Sequence, residues 1–204
     1  MKEPYNLNET YKVVVQQLAQ KNPDQIAENT KVNWKPQDNE FIVPCLGEEL
    51  IINMENWDVI KKSGEKLDRK SQILVLHYLN SDKYQPLVND LVAFKQLPGA
   101  FIYQEPFFNR SIRPLIKFFG NNPGLLISTG EKLGGVKASF KDESITLYPF
   151  PMVPLTLVIH YGDDEFPATG NILFDSSVSN YFPAEDCTVL ASWVVSQLGK
   201  LSNS

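Results

Sequence analysis

The chain of 204 residues is poor in the side chains that most often do chemistry. It holds two cysteines, Cys45 and Cys187, and two histidines, His77 and His160. The cysteines form no CxxC pair and have no zinc-type spacing. Two thiols cannot supply the four ligands of a typical iron–sulfur cluster, so they read as free thiols. No apolar run approaches the ~20 residues of a membrane span. The opening stretch MKEPYNLNET has no apolar core of the signal-peptide kind, so a cytoplasmic location is expected. Net charge is −5, and without a basic surplus nucleic-acid binding is not expected. GxGxxG, P-loop, HExxH and GxSxG motifs are absent, which removes the usual support for nucleotide and common hydrolase sites.

What is present is ordinary for a globular protein: 43% apolar and 21% charged residues. A chain of this size can bury ~70% of its unfolded surface without metals or disulfides. Proline is the composition's one excess, 14 residues, nine of them between Pro98 and Pro183. These read as stiffeners of loops.

Tyr11, Val14, Val15 and Leu18 repeat at helical spacing. Asn22-Pro23-Asp24-Gln25 predicts a helix start, with Asn22 as cap and Gln25 completing a capping box. Residues 41–45 and 50–52 predict a β-hairpin around Leu46-Gly47-Glu48, with Pro44 marking an edge. The apolar run 73–79 is broken only by His77, and Asp68 and Ser71 ahead of it favour a helix. Residues 92–94 and 101–103 read as short strands around the turn Leu97-Pro98-Gly99. Phe108, Ile112, Leu115, Ile116 and Phe119 mark a helix closing at Gly120, with Pro114 kinking it or in its first turn. Asn122-Pro123 opens another helix, which Gly134-Gly135 stops. Residues 144–150 and 155–161 predict a strand pair, 172–174 a short strand, and Pro183 the start of a last helix. This irregular alternation predicts an α+β fold: one domain over residues 1–204, an antiparallel or mixed sheet with several packed helices.

Three groups of residues could carry chemistry. Arg110, Arg113 and Lys117 share a helix face and could hold a phosphate or carboxylate. They lie opposite Phe108, Ile112, Leu115 and Phe119, which is also the geometry of a solvated face. Asp163, Asp164 and Glu165 follow a strong strand, and Asp175 follows the next. Four carboxylates at strand ends could hold Mg²⁺ or Ca²⁺, although turn acids commonly bond local backbone N–H groups instead. His77 and His160 read as structural histidines, with axial ligation of a haem or corrinoid as the alternative.

One set of motifs is distinctive. It comprises residues 154–167, containing Gly162-Asp163-Asp164-Glu165-Phe166-Pro167, then Ile172-Leu173-Phe174-Asp175, then Tyr181-Phe182-Pro183-Ala184-Glu185-Asp186. With Leu97-Pro98-Gly99, Phe119-Gly120 and Lys132-Leu133-Gly134-Gly135, it resembles an uncharacterised family of anaerobic bacteria and archaea. Members occur alone or fused to an iron–sulfur domain like that of a corrinoid iron–sulfur protein. The resemblance implies a context of anaerobic corrinoid or one-carbon metabolism and supplies no activity. This chain lacks the clustered cysteines of the fused relatives, so no cluster is expected in it. The family often has another large residue at the position of His160.

The expectation is therefore a cytoplasmic binding or accessory protein rather than an enzyme. Its pocket is placed at Gly162, Asp163, Asp164, Glu165, Phe166 and Asp175, roofed by the loop around Gly99, with His160, Arg110 and Arg113 as further contacts. The ligand would be a corrinoid or another tetrapyrrole, or a corrinoid or iron–sulfur partner protein. The alternatives are an Mg²⁺-dependent enzyme using Asp163, Asp164, Glu165 and Asp175, and a structural or protein-interaction module. No membrane partner is expected.

Overall fold

The structure, a computed structural model, describes residues 6–202. Helices α1 (Leu7–Leu18) and α2 (Pro23–Thr30) lead into four strands, β1 (Asn33–Lys35), β2 (Glu40–Cys45), β3 (Glu48–Asn53) and β4 (Val59–Lys61). Helix α3 (Arg69–Leu79) follows, then β5 (Leu91–Ala93). Two 3₁₀ turns, Phe94–Gln96 and Ala100–Tyr103, precede α4 (Gln104–Phe107), a π-helical turn (Phe108–Ile112) and α5 (Arg113–Phe119). After α6 (Leu125–Glu131) come β6 (Val136–Lys137), β7 (Glu143–Phe150), β8 (Val153–His160) and β9 (Thr169–Asp175). A 3₁₀ turn (Ser176–Asn180) ends in the long helix α7 (Ala184–Ser202).

The strands form two antiparallel sheets, ordered β1-β2-β3-β4 and β5-β9-β8-β7-β6. The fold is α+β, with helices packed on the second sheet and one continuous apolar cluster running through both sheets. No helix among the described residues is long and apolar enough to cross a membrane.

Local chemistry explains most elements. Asn22 caps α2 by accepting from the Asp24 N–H at 2.8 Å. The predicted capping box does not close, because Gln25 bonds Asn29 instead. Asp68 caps α3 through the Lys70 and Ser71 N–H groups. The β2–β3 hairpin turns on Leu46 and Gly47, both left-handed (φ 49° and 79°), a pairing that suits the twist of a two-residue turn. Pro44 lies beyond the three residues that β1 pairs, so its missing N–H costs no ladder bond on that side.

Two further expectations fail. Residues 101–103 are a 3₁₀ turn, not a strand. Phe108 is exposed, and Phe107 is buried in its place against Phe94. The π turn accounts for that shift. Pro114 has no N–H to give the carbonyl of Arg110, and the widened turn before it rotates the helix face.

An aromatic cluster fixes α3 against α7. Tyr78 stacks on Phe150 at 4.6 Å and lies 5.7 Å from Tyr181 and 6.1 Å from Phe182. Its hydroxyl donates to the Thr30 carbonyl at 2.6 Å and accepts from the Met152 N–H at 3.2 Å. Both cysteines are free and buried, and burial pushes their thiols well above the ordinary range.

Candidate functional site

The carboxylates singled out in the sequence do not meet. β8 and β9 are antiparallel, with His160 opposite Thr169, so the loop at 162–166 sits at one end of β9 and Asp175 at the other. Seven strand residues separate those ends, roughly 20 Å at ~3.3 Å per residue. Following consecutive strands is what placed them together in the sequence, and antiparallel pairing is what separates them. Among the described residues no three His, Cys, Asp or Glu side chains form a group able to hold a metal ion.

Two of these carboxylates, Asp175 and Asp163, have local tasks. Asp175 is 2% exposed and accepts from the N–H groups of Val88, Asn89 and Ser177 and from the Ser177 hydroxyl. Burial pushes its carboxyl up, but these donors outweigh that and hold it below the usual carboxylate value. Asp163 accepts from the Phe166 and Glu165 N–H groups, which lower its pKa, and its own N–H bonds the Phe166 carbonyl at 2.9 Å. A side chain at Gly162 would come 2.7 Å from the Ala168 nitrogen, so glycine is required for this self-closed loop. Asp164 and Glu165 are exposed and Phe166 is 68% exposed.

The remaining expected contacts are scattered. Gly99 supplies a left-handed turn (φ 75°) with nothing within 4 Å of where a side chain would begin. His160 Nδ1 lies 2.6 Å from Asp142, on the surface beside a hollow lined by Phe140, Lys141 and Asn171. Arg113 is exposed. Of the residues singled out in the sequence, Arg110 and His77 line one apolar-walled cavity.

That cavity, about 490 Å³, lies where four segments converge. α3 contributes Lys70, Ile73, Leu74 and His77, one face at helical spacing. The first turns of α7 contribute Glu185, Asp186, Thr188 and Val189. Tyr103, Pro106 and Arg110 come from the stretch running into the π turn, and Leu7 and Thr10 from α1. Its size suits a small organic ligand. The walls are largely apolar, and the polar groups are few and specific.

Two of those groups are paired. His77 Nδ1 is 2.8 Å from Asp186 Oδ2, with side chains 29% and 14% exposed. Tyr103 donates its hydroxyl to Glu185 Oε2 at 3.1 Å. Lys70 and Arg110 differ: neither makes an ion pair among the described residues. Both are exposed, so they stand at the cavity's mouth over its apolar walls.

The sequence missed this site. Helical spacing joins Lys70 to His77 and Tyr103 to Arg110, but nothing in the chain links those runs to Glu185 and Asp186. One signal was present: the Tyr181–Asp186 motif ends on the two carboxylates that enter the cavity. The other motifs serve the fold. A side chain at Gly47 would come 2.9 Å from the Leu133 carbonyl carbon, and Gly134 approaches Gly47 in return, so the Leu133-Gly134-Gly135 run clasps the two sheets together. Gly120 closes against Ala168 in the same way.

Comparison with known proteins gives a family and no activity. Residues 22–197 match the model of a family described as a domain of unknown function (DUF3786). No curated protein and no solved structure matches the chain.

Proposed function

The chain belongs to the DUF3786 domain family, and we propose that it binds a small organic anion in the cavity between α3, α7 and the π turn. One observation carries this reading. Lys70 and Arg110 stand at the mouth of an apolar-walled cavity and make no ion pair among the described residues, while the cavity's own carboxylates, Glu185 and Asp186, are engaged by Tyr103 and His77. A carboxylate or phosphate would compensate the two cations, and an apolar body would cover Ile73, Leu74 and Val189.

A setting in corrinoid or one-carbon metabolism stays within this proposal, as does a cytoplasmic location. In that setting the cavity's size favours a small acidic metabolite. An intact corrinoid is several times larger than the ligands such cavities enclose. Melting the protein in the presence of small carboxylates, phosphate esters and cobalamin tests the choice. Stabilisation by acids with apolar bodies, lost in Lys70→Gln/Arg110→Gln, is expected. Stabilisation by cobalamin alone would overturn it.

A further inference from the structure

Resting on the anion-site reading, we infer that His77 is a catalytic base in this cavity, that Asp186 is its positioning residue, and that the substrate is a small carboxylate with an activated C–H bond, as in a 2-oxo acid. Four observations support it. First, Nδ1 of His77 is held 2.8 Å from Asp186. A proton on Nδ1 donated to that carboxylate leaves the lone pair on Nε2, the reactive form of the ring. Nε2 makes no hydrogen bond among the described residues.

Second, His77 shares its cavity with Lys70 and Arg110. A carboxylate held by those cations brings its neighbouring carbons toward the imidazole. The same cations offset the charge that develops as a proton leaves carbon.

Third, the pair borders a second, more open hollow of about 410 Å³, whose lining includes the polar side chains of Gln17, Asn80, Asp82, Lys83 and Asn180. His77 and Asp186 therefore stand between an apolar-walled cavity and a wet surface. A proton taken from a bound ligand can exchange with bulk water on the other side.

Fourth, both residues sit on regular helices, His77 in the last turn of α3 and Asp186 in the first turn of α7. The Tyr78 cluster locks those helices together, which gives the pair the rigidity that catalysis requires.

The step balances without a co-reactant. Nε2 accepts a proton from the carbon beside the ketone, and the C–H electron pair moves into the enolate oxygen. The imidazolium then returns a proton to carbon. Nothing is oxidised or reduced.

Alkylation with bromoacetate, set against neutral bromoacetamide and mapped by mass spectrometry, tests this. Nε2 displaces bromide: an N–C bond forms, the C–Br bond breaks and bromide leaves. His160 is the internal reference, since its Nδ1 also faces an aspartate at 2.6 Å. The preference for bromoacetate over bromoacetamide is expected to be about tenfold greater at His77 than at His160, the effect of one well-placed charge contact. Lys70→Gln/Arg110→Gln should abolish that preference and spare the bromoacetamide rate. Asp186→Asn should slow both reagents at His77 and spare the preference; Asp186→Ser replaces it if the Asn variant melts early. An unchanged rate in both Asp186 variants overturns the role given to the pair. Loss of the preference in the unmodified protein overturns the anion site beneath it.

Discussion

His77 and Asp186 lie 109 positions apart in the chain and 2.8 Å apart in space. The neighbour of each explains how. Tyr78 packs among Phe150, Tyr181 and Phe182, just ahead of the helix that carries Asp186. The pair is thus a by-product of core packing that opens onto a cavity with Lys70 and Arg110 exposed at its mouth.

Arg110→Gln should weaken binding of a carboxylate ligand by about tenfold to a hundredfold, the range for one charged hydrogen bond of ~1.5–3 kcal/mol. Arg110 is exposed and unpaired among the described residues, so the melting temperature should stay within about 1 °C of the parent. Calorimetric titration and thermal melts of the same sample check both statements.

Asp175→Asn should destabilise the fold by about 1–3 kcal/mol, because a buried carboxylate accepting four donors becomes a weaker acceptor with fewer lone pairs on offer. The sign with pH follows from its depressed pKa. The stabilisation is full above the unfolded-state value, near 3.9, and is lost as pH falls through the lower folded value. Urea melts from pH 6 down to pH 2 should therefore show a steeper loss below about pH 4 for the parent than for Asp175→Asn.

Glu143 is 3% exposed and serves the start of α6, accepting from the Ile127 N–H at 2.7 Å, the Gly124 N–H and the Tyr161 hydroxyl. Glu143→Ala strands those donors and should cost about 2–3 kcal/mol in chemical denaturation. Tyr161→Phe removes one donor to Glu143 and one of the two acceptors of the Gly124 N–H, and should cost about 1 kcal/mol.

Gly47→Ala should cost about 1–3 kcal/mol, since a left-handed φ of 79° is strained for any side chain and the new Cβ would press on the Leu133 backbone at 2.9 Å. The backbone there cannot yield as a flexible side chain could. Gly64→Ala is the control, with a comparable φ of 92° and nothing within 4 Å, and should cost less by differential scanning calorimetry.

Much of the fold was legible because short-range chemistry decides it. The Asn22 and Asp68 caps, the Leu46-Gly47 turn and the strand pair β7–β8 all follow from neighbours in sequence. The π turn was not, because Pro114 acts on the carbonyl four residues earlier and shifts Phe108 outward. The site was least legible. Proximity in sequence drew attention to Asp163 and Asp175, which antiparallel pairing holds at opposite ends of β9. Arg110 and His77 were each singled out, but only tertiary packing brings them to one cavity with Lys70 and Asp186.

The most direct test is nitrogen-15 NMR of the protein titrated with naphthoate and, separately, with the neutral isostere naphthamide. The account predicts that naphthoate shifts the resonances of His77, Tyr103, Arg110 and Val189, saturating below about 1 mM, and that Lys70→Gln/Arg110→Gln abolishes the effect. Equal shifts with both compounds, or shifts confined to the Gly162–Phe166 loop, would contradict it.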